Sequence, residues 1–321
     1  MCQKKPLIIL TGPTAVGKTE LSIRLAKAVN AEIISADSMQ VYRHMDIGSA
    51  KIKPEERQGI IHHLIDVLNP QEEFNVVTFQ KMAKEAVNAI YEKGKIPLVV
   101  GGTGFYIQAL LKDIDFSEEQ SDKLYREQLR KTAEEKGSAW LHAILKETDE
   151  KAADQIHVNN TKRIIRALEY YHLTGEKISA HNEREREKIS PYMAAYFVLT
   201  DDREKLYTRI DQRVDKMMEE GLLEEVQRLK AMGLDKSMVS MQGLGYKELL
   251  AYLDGELTLE EAVYIIKRDT RHFAKRQITW FKREQEVIWL NRQKFACDQT
   301  AILEEILHVL RIKKIIEDKE E

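Results

Sequence analysis

The sequence predicts an α/β fold in which helices flank a parallel sheet and an all-helical domain is inserted into the chain. Apolar runs at residues 7–10 and 96–100 alternate with amphipathic segments, which is the rhythm of strand–helix–strand units. Between residues 115 and 193 strand-like runs disappear and charged amphipathic segments follow one another. We therefore predict a core made of residues 1–114 and 194–321 and a helical insertion domain of residues 115–193.

Each element follows from apolar spacing and from residues that begin or end helices. Runs rich in apolar and β-branched residues predict strands, and apolar residues at helical spacing predict helices. The predicted strands cover residues 7–10, 31–38, 96–100, 194–200 and 287–290, and the predicted helices begin at Lys18 or cover residues 75–93, 117–136, 138–146, 149–155, 161–173, 203–220, 259–283 and 300–312.

Three further segments lack regular patterns. Residues 40–51 are mixed and polar, and such loops often bind substrate. Residues 182–188 alternate charges without apolar support, which predicts a solvated linker. The tail from Lys313 is expected to be frayed and solvated.

Composition restricts the class of protein. The chain has 321 residues, of which 43% are hydrophobic and 32% charged, and its net charge is −3. That charge argues against a general polyanion binder and permits a local basic patch. The longest apolar run, Tyr192 to Leu199, is too short to span a bilayer and no signal peptide is recognised, so a cytoplasmic protein is expected. Cys2 and Cys297 are expected to be free thiols.

The segment Gly12–Thr19 fits the phosphate-loop pattern G-x-x-x-x-G-K-[ST] between a predicted strand and a predicted helix. In such a loop the backbone N–H groups and Lys18 bind phosphates, and Thr19 ligates Mg²⁺ or a phosphate oxygen. The core is therefore predicted to be a P-loop NTPase-like parallel sheet. A nucleoside triphosphate is the default ligand.

Asp37 is the first candidate for chemistry, because it stands at the polar carboxyl end of the run at residues 31–38, beside the phosphate loop. The alternative is that Asp37 caps a helix or turn. The strand at residues 96–100 ends in Gly101-Gly102-Thr103, where phosphate-loop ATPases commonly carry an acid that helps to hold Mg²⁺. The missing acid counts against an ATPase motor or switch.

Cations recur in two predicted helices. Arg209 and Arg213 lie one turn apart, and they either clamp a phosphate or form salt bridges with nearby acids, namely Glu204, Asp211 or Asp215. Between Lys267 and Arg283 seven Lys or Arg residues and one acid are interleaved with aromatic residues. Such a mixture is typical of single-stranded RNA recognition, although a solvated cationic face has the same composition. A glycine turn at residues 242–247 leads into a helix with an exposed aromatic and a cation.

Together these motifs resemble the bacterial tRNA dimethylallyltransferase family, also called tRNA isopentenyltransferases. The resemblance covers nearly the whole chain, although Val16 stands where many relatives have Ser. It rests on seven segments in the same order, residues 12–19, 35–38, 45–48, 101–103, 209–213, 243–247 and 275–280.

The resemblance implies that the dimethylallyl group of dimethylallyl diphosphate is transferred to N6 of the adenosine immediately 3′ of the anticodon. The loop then holds a diphosphate leaving group, which accounts for the missing acid. Asp37 is implied as the general base, with Lys18, Thr19, Arg213 and Mg²⁺ stabilising the leaving group. The implied diphosphate-binding residues are Gly12, Pro13, Thr14, Ala15, Val16, Gly17, Lys18, Thr19 and Arg213.

The resemblance also implies contacts with the anticodon stem-loop of tRNA. The helical insert is expected to close over that stem, and the charged exterior is compatible with a monomer. The implied tRNA-binding residues are Asp37, Ser38, Met39, Gln40, Thr103, Arg126, Lys162, Arg163, Arg166, Gln242, Gly243, Gly245, Tyr246, Lys247, Lys275, Arg276, Gln277, Trp280 and Lys282.

Two other classes of protein fit the phosphate loop. In a small-molecule kinase the loop holds ATP and Asp37 accepts a proton from a substrate hydroxyl. In a non-catalytic RNA-binding switch the loop senses a nucleotide. Phosphate transfer to a small alcohol would indicate the kinase, and nucleotide-dependent RNA affinity without a covalent product would indicate the switch.

Overall fold

The structure is a computed structural model, and it describes residues 4–116 and 122–317. The chain divides into two compact units. The first unit, Met1–Leu111 with Pro191–Glu321, contains a six-stranded sheet. The second unit, Lys112–Ser190, is helical in its described part.

All strand pairs of the sheet are parallel, as the α/β prediction requires. The spatial order is β3-β2-β4-β1-β5-β6, so that β1 lies between β4 and β5. The strands are β1 (Lys5–Thr11), β2 (Ala31–Ala36), β3 (His62–His63), β4 (Ile96–Gly101), β5 (Tyr192–Thr200) and β6 (Val287–Asn291).

The first unit has helices on both faces of this sheet. They are α1 (Lys18–Ala28), α2 (Val76–Glu92), α3 (Gly104–Leu111), α9 (Arg203–Glu219), α10 (Leu222–Ala231), α11 (Tyr246–Leu253), α12 (Leu259–Phe281) and α13 (Gln299–Ile312).

Strand β1 is buried on both faces. Leu7 and Ile9 join a core cluster with residues of α2, α3, α10, α11 and α12. Ile8 and Leu10 join a second cluster with residues of α1, α9 and α13. Because successive strand side chains alternate between faces, a strand covered on both sides becomes a continuous apolar run. This is why the run at residues 7–10 could be assigned to a strand.

The second unit is built from five helices in its described residues. Leu141, Leu145, Ile164 and Leu168 lie in its core. Two of its helices begin with an Asp side chain that accepts a backbone N–H, as expected for an N-cap. The helices are α4 (Lys123–Lys136), α5 (Ser138–Thr148), α6 (Glu150–Gln155), α7 (Thr161–Thr174) and α8 (Ile178–Glu187).

The linker predicted over residues 182–188 is wrong, because α8 runs through Glu187. Glu185 is buried and accepts a hydrogen bond from the N–H of Asp115 (3.0 Å), and Lys188 pairs with it at 2.7 Å. This tertiary anchoring, which charge alternation cannot reveal, stabilises a helix with little apolar content.

Other differences are local. The short strand β3 and the helices α3 and α10 were not predicted, and Ile315 in the tail is buried, so that stretch is not wholly solvated. The predicted helix start at Ser117 and the thiol of Cys2 lie outside the described residues, as do the last four residues of the tail.

Candidate active site

The phosphate loop lies between β1 and α1, and its backbone takes conformations that favour glycine. Gly12 has φ +146° and Gly17 has φ +99°. A Cβ at Gly12 would lie 2.2 Å from the carbonyl oxygen of Leu199 on β5, so a side chain has no room there. Ala15, with φ +61°, has a left-handed backbone conformation, which is uncommon for a residue other than glycine. Such a backbone forms a concave surface of N–H groups suited to an anion.

Lys18 is folded back onto the loop. Its Nζ donates to the carbonyl oxygens of Gly12 (2.9 Å) and Pro13 (2.8 Å). Burial, followed by the charge of Arg213, lowers the pKa of Lys18 to about 7, and the charge of Asp37 opposes both effects. A bound polyanion would favour the charged ammonium, because an opposite charge stabilises it.

Asp37 follows β2 and uses one carboxylate oxygen as a turn cap. Its Oδ1 accepts from the N–H groups of Met39 (2.8 Å) and Gln40 (3.4 Å). Among residues 4–116 and 122–317 no hydrogen bond to Oδ2 is seen. Burial raises the pKa of Asp37, against the lowering effects of these two N–H groups, Lys18 and Arg213. The capping role considered for Asp37 is therefore present, and one oxygen remains for another partner.

The two arginines of α9 have different partners. Nη1 of Arg213 lies 3.5 Å from Oγ1 of Thr14, and burial lowers the pKa of Arg213 while Asp37 opposes that shift. Arg209 forms an ion pair with Asp201 at 2.5 Å and donates from Nε to the carbonyl oxygen of Ala15 at 3.1 Å. Arg213 is therefore the arginine whose side chain lines the cavity beside the loop.

Two acids of α9 pair with cations of α12 instead of with these arginines. Asp211 contacts Arg271 and Asp215 contacts Lys267, both at 2.5 Å. Two cations of α12, Lys267 and Arg271, therefore form ion pairs within the first unit.

A cavity of about 710 Å³ joins the phosphate loop to Asp37 and to an apolar wall. Its polar part also includes Thr103 and Arg213. A ligand with a charged end and an apolar body matches this mixed lining. The apolar wall includes Phe74, Tyr106, Val214, Met217 and Leu222.

A buried carboxylate that was not predicted fixes one wall of this cavity. Glu225 of α10 accepts hydrogen bonds from the N–H groups of Asp46 (2.9 Å), Ile47 (2.8 Å) and Gly48 (3.1 Å), and from the hydroxyl of Tyr246 (2.8 Å). Its only signal in the sequence is its place in the apolar stripe of α10, whose other members are Leu222, Val226 and Leu229.

The prediction that Tyr246 is exposed is wrong, because its side chain is fully buried. Its ring lies against Gly48, where a Cβ would approach ring atoms to 2.6 Å. The neighbouring residues Gly243, Gly245 and Lys247 line the cavity.

Helix α12 has two kinds of side chain in its last turns. Lys275, Arg276 and Lys282 are exposed. Gln277 is buried, donates to the carbonyl oxygen of Gly102 (2.9 Å) and accepts from the N–H of Thr14 (2.9 Å). The amide of Gln277 therefore connects the phosphate loop to the turn after β4.

The other residues proposed for tRNA fall into three groups. Ser38, Met39, Gln40, Thr103 and Gln242 line the cavity with Arg276 and Gln277. Trp280 is half-buried, and its indole lies over Gly104. Arg126, Lys162, Arg163 and Arg166 belong to the second unit.

In the second unit, the buried side chain of Glu169 forms ion pairs with two of these arginines. Its Oε1 lies 2.7 Å from Nε of Arg126, and its Oε2 lies 3.1 Å from Nη1 of Arg166. Lys162 and Arg163 are exposed on α7.

The described part of the chain contains no cluster of three or more His, Cys, Asp or Glu side chains that could hold a metal ion. Thr19 is exposed and lines the cavity. Within the described ranges, no helix combines the length and apolarity needed to cross a bilayer.

Residues 40–284 match the family model described as IPP transferase. The chain is 63% identical over 312 residues to a tRNA dimethylallyltransferase of Lachnoclostridium phytofermentans, covering 97% of this chain and 99% of the relative. It is 52% identical to the protein of the same name from Carboxydothermus hydrogenoformans, covering 90% of this chain and 92% of the relative.

Two solved structures are similar to this chain over nearly all of its length. A tRNA isopentenylpyrophosphate transferase from Bacillus halodurans is 43% identical with a TM-score of 0.72, over 97% of this chain and 98% of that one. A eukaryotic dimethylallyltransferase acting on tRNA is 30% identical with a TM-score of 0.82, over 99% of this chain and 81% of that one.

Proposed function

The chain belongs to the IPP transferase family, and we propose that it transfers the dimethylallyl group of dimethylallyl diphosphate to a tRNA adenosine, at N6 of the nucleotide immediately 3′ of the anticodon. The observation that carries this proposal is that a phosphate loop, the carboxylate of Asp37 and an apolar wall all line the same cavity. A prenyl diphosphate has a charged end for the loop and an apolar body for the wall.

Asp37 is the base in this proposal. The exocyclic amine of adenine is a weak nucleophile, since its lone pair is delocalised into the ring. As nitrogen forms its bond to C1 of the prenyl group, the C1–O bond to diphosphate breaks and one amine proton must leave. The Oδ2 atom of Asp37 is the acceptor that the turn leaves available, and burial raises the basicity of this carboxylate.

The diphosphate leaves as a polyanion, so its departure requires donors that are already in place. Lys18, Arg213 and the loop N–H groups supply them. Burial lowers the pKa of both Lys18 and Arg213, and the charge of Arg213 further lowers that of Lys18, so an anion bound between them relieves that cost.

Mg²⁺ fits this site as a cation bound mainly through the diphosphate. The hydroxyl of Thr19, which lines the cavity, would be a hard oxygen ligand of the kind that Mg²⁺ prefers. When bound, the ion neutralises charge on the diphosphate.

The target base must leave its stack to reach Asp37, as in other enzymes that act on a base. We propose that the exposed cations of α12 and the residues lining the cavity mouth bind the anticodon stem-loop, with Arg126, Lys162, Arg163 and Arg166 of the insertion domain closing over the stem. We further propose that residues 1–114 and 194–321 form the core domain, and that residues 115–193 form the insertion domain that contacts tRNA. Since tRNA is the proposed substrate, the enzyme is expected to work in the cytoplasm. The charged exterior is compatible with a monomer.

The test is incubation of the purified protein with Mg²⁺, radiolabelled dimethylallyl diphosphate and an unmodified tRNA that carries adenosine 3′ of its anticodon. Label should enter the RNA, and nuclease digestion should place it on that adenosine. A second tRNA in which this adenosine is replaced by guanosine is the control and should stay unlabelled. A parallel reaction with labelled ATP should show no hydrolysis; phosphate transfer without prenylation would instead indicate a kinase.

A further inference from the structure

The side of the phosphate loop that carries its carbonyl oxygens is held by two arginines from distant parts of the chain. Arg209 of α9 donates to the carbonyl oxygen of Ala15 at 3.1 Å. Arg292, which follows β6, donates from Nη1 to the carbonyl oxygen of Val16 at 2.8 Å. Consecutive peptide groups of the loop are therefore each fixed by a guanidinium.

Both arginines converge on Asp201, whose side chain is completely buried. Its Oδ2 lies 2.5 Å from Nη2 of Arg209 and 3.8 Å from Nε of Arg292. Its Oδ1 accepts from the side chain of Gln293 and from the N–H of Asp202. Burial would raise the pKa of Asp201, but the hydrogen bonds from Arg209, Gln293 and Asp202 hold it below its ordinary value.

The geometry of the peptide bond connects this arrangement to anion binding. A trans peptide is planar, so its N–H points opposite to its C=O. The hold of Arg209 on the Ala15 oxygen therefore fixes the direction of the Val16 N–H, and the hold of Arg292 on the Val16 oxygen fixes that of the Gly17 N–H. Ala15 is also in the left-handed region, with φ +61°, and its own carbonyl is the one that Arg209 secures.

We propose that Asp201, Arg209 and Arg292, here named the Asp201 clamp, are positioning residues that hold the Val16 and Gly17 N–H groups ready for the diphosphate. This inference rests on the proposed role of the loop as a diphosphate site. Donors fixed before the ligand arrives need no reorganisation, so loss of the clamp weakens diphosphate binding even though none of the three side chains has to touch the ligand.

The experiment is titration of the purified full-length protein with inorganic pyrophosphate and Mg²⁺ by calorimetry. Asp201→Asn keeps the shape of the side chain and removes its charge. We expect its Kd for pyrophosphate to rise about 10-fold or more, the size expected for a lost charge-assisted hydrogen bond. The KM for dimethylallyl diphosphate should rise by a similar factor, while the KM for tRNA stays unchanged.

Asp202→Asn is the matched control, because it makes the same change one residue later on an exposed side chain that forms no capping hydrogen bond. It should bind pyrophosphate as the wild type does. A purely structural role of Asp201 would lower the melting temperature and leave the pyrophosphate Kd and the split between the two KM values unmoved, and that result would overturn the proposal.

Arg292→Lys gives a second route if Asp201→Asn does not fold. Lysine keeps the charge but lacks the fork that reaches a carboxylate and a carbonyl together, so pyrophosphate binding should again weaken. In the double variant D201N/R292K the combined loss should be smaller than the product of the single losses, since both act through one clamp. A full product would refute the clamp. Wild-type protein that binds pyrophosphate but never prenylates tRNA would contradict the proposed function and leave the clamp intact.

Discussion

Asp37 divides its two carboxylate oxygens between a turn and the cavity, and this division makes its role testable at the level of one residue. In Asp37→Asn the amide oxygen can still accept from the Met39 N–H, so the turn is kept while the base is lost. We expect kcat to fall by about 10²–10⁴, the usual contribution of a positioned base. Single-turnover prenyl transfer measures this directly.

The same variant should bind pyrophosphate no more weakly than the wild type, because it removes a negative charge from the site. A normal kcat in Asp37→Asn would rule out the assignment of the base. Weaker pyrophosphate binding would mean that the variant had disturbed the loop and could not be read as loss of a base.

Arg213 is expected to act on the leaving group. Arg213→Ala removes a half-buried guanidinium beside Thr14, and we expect kcat to fall by about 10²–10³, as for loss of one oxyanion donor. Thr19→Ala should fall in the same range. Arg203→Ala, on the exposed start of the same helix, is the control and should be as active as the wild type. Equal kcat values for Arg203→Ala and Arg213→Ala would contradict the role of Arg213.

At the scale of elements, α10 supports the cavity through Glu225. Glu225→Gln replaces a carboxylate that accepts three backbone N–H groups with an amide that can accept only through its oxygen. We expect the loop around Gly48 to loosen, at a cost of about 1–3 kcal/mol in the free energy of unfolding, and the KM for dimethylallyl diphosphate to rise. Thermal melting and steady-state kinetics measure both effects.

Glu224→Gln is the matched control, since Glu224 precedes Glu225 and is exposed. It should match the wild type in both measurements. If Glu225→Gln also behaved as the wild type, the buried carboxylate would have no part in shaping the cavity.

Glu32, at the opposite end of β2 from Asp37, makes a pH-dependent contribution to the stability of the fold. Burial would raise the pKa of Glu32, but His63, Lys93 and Lys95 together lower it to about 2. Its pKa in the unfolded chain is about 4.3. The stabilisation is therefore complete above about pH 5 and is lost as the pH falls toward 2.

Glu32→Gln should accordingly be less stable than the wild type at pH 7, and the difference should shrink as the pH is lowered from about 5 to about 2. Urea unfolding at a series of pH values measures this, with the exposed Glu92→Gln as control. A stability difference that did not change with pH would show that the ion pairs of Glu32 contribute nothing.

At the scale of the whole molecule, the net charge of −3 contrasts with exposed cations on α12. Binding of tRNA should therefore depend on local contacts with phosphates, and its affinity should fall steeply with salt. Lys275→Ala should reduce the slope of log K against log salt by about 0.7–0.9, and leave the KM for dimethylallyl diphosphate unchanged. Filter binding over a salt series measures the slope.

Lys81→Ala, an exposed change on α2, serves as the control and should keep the full slope. An unchanged slope in Lys275→Ala would place the RNA away from this end of α12.

Features that depend only on neighbouring residues could be predicted from the amino-acid sequence. The phosphate loop is a contiguous motif, the strands covered on both faces are apolar runs, and Asp37 stands where a strand ends. The parallel sheet and the family followed from these local signals. Periodicity and turn chemistry act over a few residues, so they can be read without knowing what packs against them.

The contacts between groups that are distant in sequence could not be predicted and became visible in the folded chain. Arg292 reaches Val16 across 276 positions of sequence, Gln277 reaches Thr14 across 263, and Glu225 reaches Asp46 across 179. The burial of Tyr246 and the anchoring of α8 by Glu185 are of the same kind. A polar side chain has the same local pattern whether it is solvated or paired in the core, because the partner that lowers the cost of burying it comes from elsewhere in the fold.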